Sequence, residues 1–279
     1  MPQYRNESTW AGLSLDRPRI MGVLNVTPDS FSDGGPLAPA RAIAAGRAMH
    51  AGGADIVDVG GESTRPGAAP VTPEEEQARI IPVIRALARE GIRVSVDTRA
   101  AATMAAALDA GATIVNDVSA LTHDANAAAL IAARGCPVVL MHMRGTPATM
   151  SGLAGYQDVA ADVAAELTAR IAAARAACIR PGNIAIDPGF GFAKHPRHSL
   201  ALLRDLHKLA ALGYPIVAGV SRKGFVGSAS GEPDPARRFP GSIAAGLFAL
   251  AQGAAVLRVH DVRETAQAVR MWRAIVETA

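Results

Sequence analysis

Short runs of apolar, largely β-branched residues alternate along the chain with longer stretches in which apolar positions recur every three to four residues. The short runs predict strands over 19–25 (RIMGVLN), 55–61 (DIVDVGG), 93–98 (RVSVDT), 112–117 (ATIVND), 137–143 (PVVLMHM), 183–189 (NIAIDPG), 215–221 (PIVAGVS) and 255–261 (AVLRVHD). The longer stretches predict helices over 38–52, 73–90, 99–110, 125–134, 157–180, 198–212, 240–252 and 262–275. Thr72-Pro73 followed by Glu74, Glu75 and Glu76 starts one of them with a capping hydroxyl, a first-turn proline and acids at the positive dipole end. Gly91, Gly111, Gly135 and Gly213 supply helix stops.

Strands that are apolar on both faces belong to a parallel sheet covered by helices, and eight strand–helix units are the number that closes a barrel. The expected fold is α/β, a single (β/α)8 TIM barrel over 19–279, preceded by a polar lead-in over 1–18 and carrying a loop over 228–239. A doubly wound open sheet is the competing architecture. It is weakened by the lack of a GxGxxG after the first strand.

Composition agrees with a large buried core: 279 residues, 49% hydrophobic and 19% charged, with a mean hydropathy of +0.18. Disorder and a disulfide-stapled miniprotein are excluded. No apolar run reaches the roughly 20 residues of a membrane helix, so no membrane partner is expected. The first residues lack the apolar stretch of a secretory signal, and Cys136 and Cys178 stand far apart in no metal-binding spacing. A cytoplasmic protein with reduced thiols is expected. The net charge is +3, with arginines scattered and only three lysines, Lys194, Lys208 and Lys223. That argues against a nucleic-acid partner and for arginines aimed at a small anion.

In a closed barrel the carboxyl ends of all strands share one mouth. Polar groups fall at nearly every such end here: Asn25; Glu62, Ser63, Thr64 and Arg65; Asp97; Asn116; His142; Asp187; Ser221, Arg222 and Lys223; Arg258 and His260. Any one alone reads as a helix cap or turn residue. A whole ring in register points to a shared functional mouth. Asp97, Asn116 and Asp187 suit a flat heterocycle with an amidine-like edge, although the two carboxylates could also serve caps or turns. Arg65, Arg258 and His260 suit a phosphate-bearing group. His260 is equally readable as a structural histidine. Asn25 offers the neutral oxygen that Mg²⁺ takes alongside waters and phosphate. No HxH follows the first strand, and no GxSxG, Cys/His pair or P-loop is present. Lys223 could form a Schiff base, but it lies beyond the strand interior where a desolvated amine would sit, so it reads as a hydrogen-bonding and charge-balancing group.

The strings NVTPDSFSDGG (25–35), DVGGESTRPGA (58–68), SVDT (95–98), NDVSA (116–120), LMHMRGTP (140–147), DPGFGF (187–192), GVSRKGF (219–225), GSIAA (241–245) and RVHDV (258–262) together resemble the dihydropteroate synthase family, in its order and spacing over about residues 19–275. The resemblance implies a barrel that joins (7,8-dihydropterin-6-yl)methyl diphosphate to 4-aminobenzoate, giving 7,8-dihydropteroate and diphosphate, and it implies a homodimer and a target class for sulfonamides. It places Asp97, Asn116, Asp187 and Lys223 on the pterin, Asn25 on Mg²⁺, and Arg258 and His260 on the diphosphate. Thr64 and Arg65 fall on a second loop that closes over the aminobenzoate, and Phe31, Pro66 and Ser221 resemble that second pocket. Asp97, Lys223 and Arg65 are the expected catalytic residues. Gly224 stands where some members carry Ser or Arg, and the first loop is slightly short. A barrel for methyl transfer from methyltetrahydrofolate, a non-catalytic pterin-binding barrel and a phosphate-binding aldolase are the alternatives.

Overall fold

The computed structural model of the chain describes residues 9–27, 38–63 and 71–278. It opens with an antiparallel hairpin, β1 (Thr9–Trp10) and β2 (Leu13–Ser14), turned by Ala11 and Gly12, both at positive φ. Parallel strands follow: β3 (Arg19–Asn25), β4 (Ile56–Gly60), β5 (Val94–Asp97), β6 (Ile114–Asp117), β7 (Val138–Met141), β8 (Ile184–Asp187), β9 (Val217–Ala218) and β10 (Val256–Val259). They are ordered β8-β7-β6-β5-β4-β3-β10-β9. A single parallel bridge, Ile186 to Ile216, joins β8 back to β9 and closes the barrel. The open-sheet alternative is thereby excluded.

Helices lie outside the sheet: α1 (Ala38–Ala51), α2 (Pro73–Arg89), α3 (Ala101–Asp109), α4 (Ala127–Arg134), α5 (Val159–Ala176), α6 (Pro196–Arg204), α7 (His207–Ala210), α8 (Gly224–Ser230), α9 (Phe239–Ala251) and α10 (Val262–Val276). α2 forms as its sequence dictates. Thr72 Oγ1 accepts from the Glu75 N–H at 3.2 Å, and Ile80, Val83, Ile84 and Leu87 turn one buried stripe toward the strands. Three helical expectations change. The 157–180 helix stops at Ala176, because Cys178 takes φ +70 and Pro181 follows. The 198–212 helix breaks at Asp205, so that Leu206 and Leu209 both reach full burial. Part of the 228–239 loop is helical: α8 runs through Ser230 and a single 3₁₀ turn spans Pro235–Arg237. Its glycines hide α8 in the sequence, while Phe225 and Val226 anchor it in the core.

The barrel interior is graded. At the amino-terminal end Met21, Ile56, Ile114, Val139, Ala185, Val217 and Val256 form an apolar layer. Trp10 and Leu15, both essentially unexposed, close it from below, and the Trp10 indole donates to the Asn183 carbonyl at 3.2 Å. The lead-in segment therefore contributes a plug to the core. Toward the carboxyl end the inward positions turn polar, with Asp58 and Ser95 paired in register and Asn25, Gly60, Asp97 and Asn116 paired strand to strand one step higher. Apolar packing supports the floor, so the upper rungs are free to carry charge.

Candidate active site at the barrel mouth

The register puts the Asp97 and Asn116 side chains on the same rung, and Gly60 between Asn25 and Asp97 has no side chain to crowd them. A Cβ on Gly60 would press on Asp97 Cβ at 3.3 Å. Across the barrel, Arg258 reaches from β10 to two carboxylates. Its Nε donates to Asp58 Oδ2 at 2.7 Å and its Nη2 to Asp97 Oδ2 at 2.6 Å. Asn116 Nδ2 donates to the same Asp58 oxygen at 3.0 Å. One guanidinium and one carboxylate thus fix both Asp97 and the Asn116 amide.

Asp58 is the functional-site residue that motif reading passes over. It is fully buried, and its Oδ1 has no hydrogen-bond partner. The available signal was a lone carboxylate amid the apolar strand IVDVG, where burying an unpaired charge costs too much to be incidental. The two sequence groupings of residues meet at Arg258. Arg258, expected with the anion-reading set, is anchored on the carboxylates of the heterocycle-reading set.

Electrostatics follow from this crowding. Burial pushes Asp97 up to about 7, against the pull of Arg258 and with Asp58 adding to the rise. Asp187 is likewise raised by burial, although the Gly189 N–H donates to its Oδ1 at 2.7 Å. Lys223 precedes α8, and its ammonium stands 4.2 Å from the centre of the Phe192 ring. Burial and the neighbouring Arg258 bring it down to about 8. The residue is half-buried, with its ammonium against the Phe192 ring.

His260 and Ser221 form a second cluster. The His260 backbone N–H donates to Ser221 Oγ at 3.2 Å, and Nδ1 lies 3.1 Å from the same oxygen. Where the hydroxyl donates to Nδ1, the proton of the neutral ring sits on Nε2. Burial, with Arg258 and Arg222 nearby, lowers His260 to about 4, so the ring is neutral near pH 7. Asn25 is half-buried at the end of β3. Among the described residues no group of three or more His, Cys, Asp or Glu could hold a metal ion. A lone hard amide oxygen fits a magnesium ion that arrives with a phosphate and brings its own waters. His142 is placed just past β7 and faces away from this cluster, toward Glu166 and Lys194. Phe31, Thr64, Arg65 and Pro66 lie outside the described residues.

The pterin binding enzyme family matches residues 21–260 of the chain. The chain belongs to that family. A dihydropteroate synthase of Neisseria meningitidis serogroup C is 46% identical over 267 residues, covering 94% of both chains. The structure of Xanthomonas albilineans dihydropteroate synthase with 4-aminobenzoic acid superposes with a TM-score of 0.91 at 46% identity, covering 96% of this chain and 97% of that one. The same enzyme in complex with 7,8-dihydropteroate gives 0.88 at 43% identity, with 96% and 97% covered. Within the pterin binding enzymes the chain is thus a dihydropteroate synthase by likeness of sequence and fold, a transferase whose product is dihydropteroate. The aldolase and methyl-transfer alternatives lose their ground.

Proposed function

We propose that the chain makes 7,8-dihydropteroate by letting diphosphate leave from (7,8-dihydropterin-6-yl)methyl diphosphate before 4-aminobenzoate attacks. The methylene–oxygen bond breaks and its electron pair departs with the diphosphate. A carbon–nitrogen bond then forms from the arylamine, whose nitrogen gives up one proton to solvent. The observation that carries this reading is the Asp97 carboxylate, held by Arg258 at 2.6 Å on the rung it shares with Asn116. A fixed negative charge beside the pterin ring stabilises the methylene cation without any reorganisation at the moment of reaction.

Asn116 and Asp187 accept from the N–H edge of the pterin, and Lys223 balances the added carboxylate charge. Arg258 and the His260 Nε2–H bind the diphosphate. Asn25 would hold Mg²⁺, which when bound would supply neutralising charge for the departing diphosphate. Phe31, Thr64, Arg65 and Pro66 complete the aminobenzoate side, with Arg65 the further catalytic group, while Ser221 backs His260 on the diphosphate side. No side-chain nucleophile is needed. The apolar exposed residues Phe248, Met271 and Ile275 on the adjoining helices α9 and α10 support a homodimer. Two free cysteines, and the absence among the described residues of any helix long and apolar enough to cross a membrane, are compatible with work in the cytoplasm.

The test is diphosphate release from the purified protein given the pterin substrate and Mg²⁺, with and without 4-aminobenzoate. The expected continuous release over many turnovers requires aminobenzoate, stops with EDTA and is lost in Asp97→Ala. Release that survives Asp97→Ala would remove the carboxylate from the mechanism. Release that survives EDTA would remove Asn25 and its metal.

A further inference from the structure

Behind the mouth lies a buried cation that the mechanism above does not use. Lys194 is only 7% exposed, yet its ammonium has a partner for each of its three protons. It donates to His142 Nδ1 at 2.8 Å, to the Gly189 carbonyl at 3.0 Å and to the Phe192 carbonyl at 3.1 Å. His142 is suited to accept, because its Nε2 lies 3.0 Å from Glu166 Oε2 and carries the proton toward that carboxylate. Glu166 is in turn held by Arg144. The chain of contacts runs from α5 on the outside to the loop that follows β8.

Both carbonyls on Lys194 belong to residues that hold pterin-facing groups. The Gly189 N–H donates to Asp187 Oδ1 at 2.7 Å, and the Phe192 ring lies under the Lys223 ammonium at 4.2 Å. The backbone between them is tightly fitted. Gly189 takes φ +67, and a Cβ there would sit on the His142 carbonyl oxygen. The Phe192 N–H bonds back to the Gly189 carbonyl at 3.1 Å. The His142 N–H bonds the Asp187 carbonyl at 2.9 Å and the Gly191 N–H bonds Ser199 Oγ at 3.2 Å, and Lys194 adds the link from the turn's carbonyls to the His142 side chain.

We propose that Lys194 is a positioning residue for the pterin subsite: its ammonium ties the 189–192 turn to His142 and so aims Asp187 and Lys223 at the ring. The proposal rests on the assignment of those two residues to the pterin. It gives a role to the only buried lysine among the described residues and explains the strand-end histidine that the reaction leaves idle.

The experiment compares Lys194→Met, Asp187→Asn and the double variant, with KM measured separately for the pterin diphosphate and 4-aminobenzoate. Loss of the tether is expected to raise the pterin KM about tenfold and leave the aminobenzoate KM within about twofold. In the Asp187→Asn background the same substitution should add less than about threefold, because the carboxylate it aims is already gone. Should Lys194→Met fold poorly, Lys194→Gln keeps an amide donor pair for the two carbonyls and is expected to show the same split at smaller size. Equal losses for both substrates, or a lower melting temperature with unchanged KM, would overturn the proposal. If Asp187→Asn itself leaves the pterin KM unchanged, the assignment of Asp187 falls instead.

Discussion

Arg258 and Asp58, 200 residues apart in sequence, meet through a 2.7 Å Nε–Oδ2 hydrogen bond in the barrel interior. That bond fixes the plane of the guanidinium, and the plane fixes Asp97. A buried ion pair adds little net stability against an apolar pair, but removing one partner strands the other charge. Asp58→Asn is therefore expected to lower stability by about 3–5 kcal/mol in urea unfolding. It should also cut kcat/KM for the pterin diphosphate by at least about tenfold, since the amide oxygen that remains accepts from Asn116 and Arg258 without the charge that anchors the guanidinium. Unchanged kinetics in a folded Asp58→Asn protein would show that the guanidinium orients itself.

The raised Asp97 carboxylate makes activity depend on pH in a defined direction. kcat/KM reports the free enzyme, in which Asp97 ionises near 7 and Lys223 loses its proton near 8. The profile should rise through about 7 as the carboxylate gains its charge and fall above about 8 as the ammonium loses its own. For stability the sign is opposite at Asp97. Its native pKa lies above the ordinary value of 3.8, so between there and about 7 the folded state holds more protons, and this group lowers stability as pH rises. Asp97→Asn is expected to lose the acid limb of the residual activity and to flatten that stability slope. An acid limb that persists in Asp97→Asn would assign it to another group.

Strand positions were legible because each is a short apolar run between turn signals, and β3 spans Arg19–Asn25, the run itself. The mouth was legible because polar residues at strand ends have no other common cause. Asp58 was not, although it opens the string DVGGESTRPGA, since it sits inside a strand run and not at a strand end where the polar ring was sought. Lys194 was hidden for a related reason: nothing in FAKH says that three acceptors converge there. Asp58 meets Arg258 and Asn116 from distant strands, and Lys194 meets His142 from 52 residues away, contacts that no local pattern encodes.

The hairpin plug separates stability from catalysis. Trp10 packs on Met21, Ile56 and Val256 at the floor of the barrel, the end opposite the mouth. Trp10→Ala removes a buried aromatic surface and a hydrogen bond, with an expected loss of about 3–5 kcal/mol. Both KM values should stay within about twofold, because packing defects at distant sites act independently of the site. Urea unfolding beside steady-state kinetics checks this. A changed pterin KM would mean that the floor transmits strain up the strands to Asp97.

Ser221 decides how the two substrate pockets divide. Its resemblance-based place is beside the aminobenzoate, yet its hydroxyl is buried and engaged by both the backbone and the ring of His260. A hydroxyl committed in this way would act on the diphosphate through the imidazole, by donating to Nδ1 and so keeping the proton on Nε2. In Ser221→Ala the ring loses that constraint, and the proton distributes over both nitrogens. The pterin diphosphate KM is then expected to rise about fivefold to tenfold, with the aminobenzoate KM nearly unchanged. His260→Gln should produce the same split, and the pair of substitutions should be less than additive. The reverse split, with aminobenzoate weakened and pterin diphosphate untouched, would return Ser221 to the arylamine and leave the tautomer of His260 to the substrate itself.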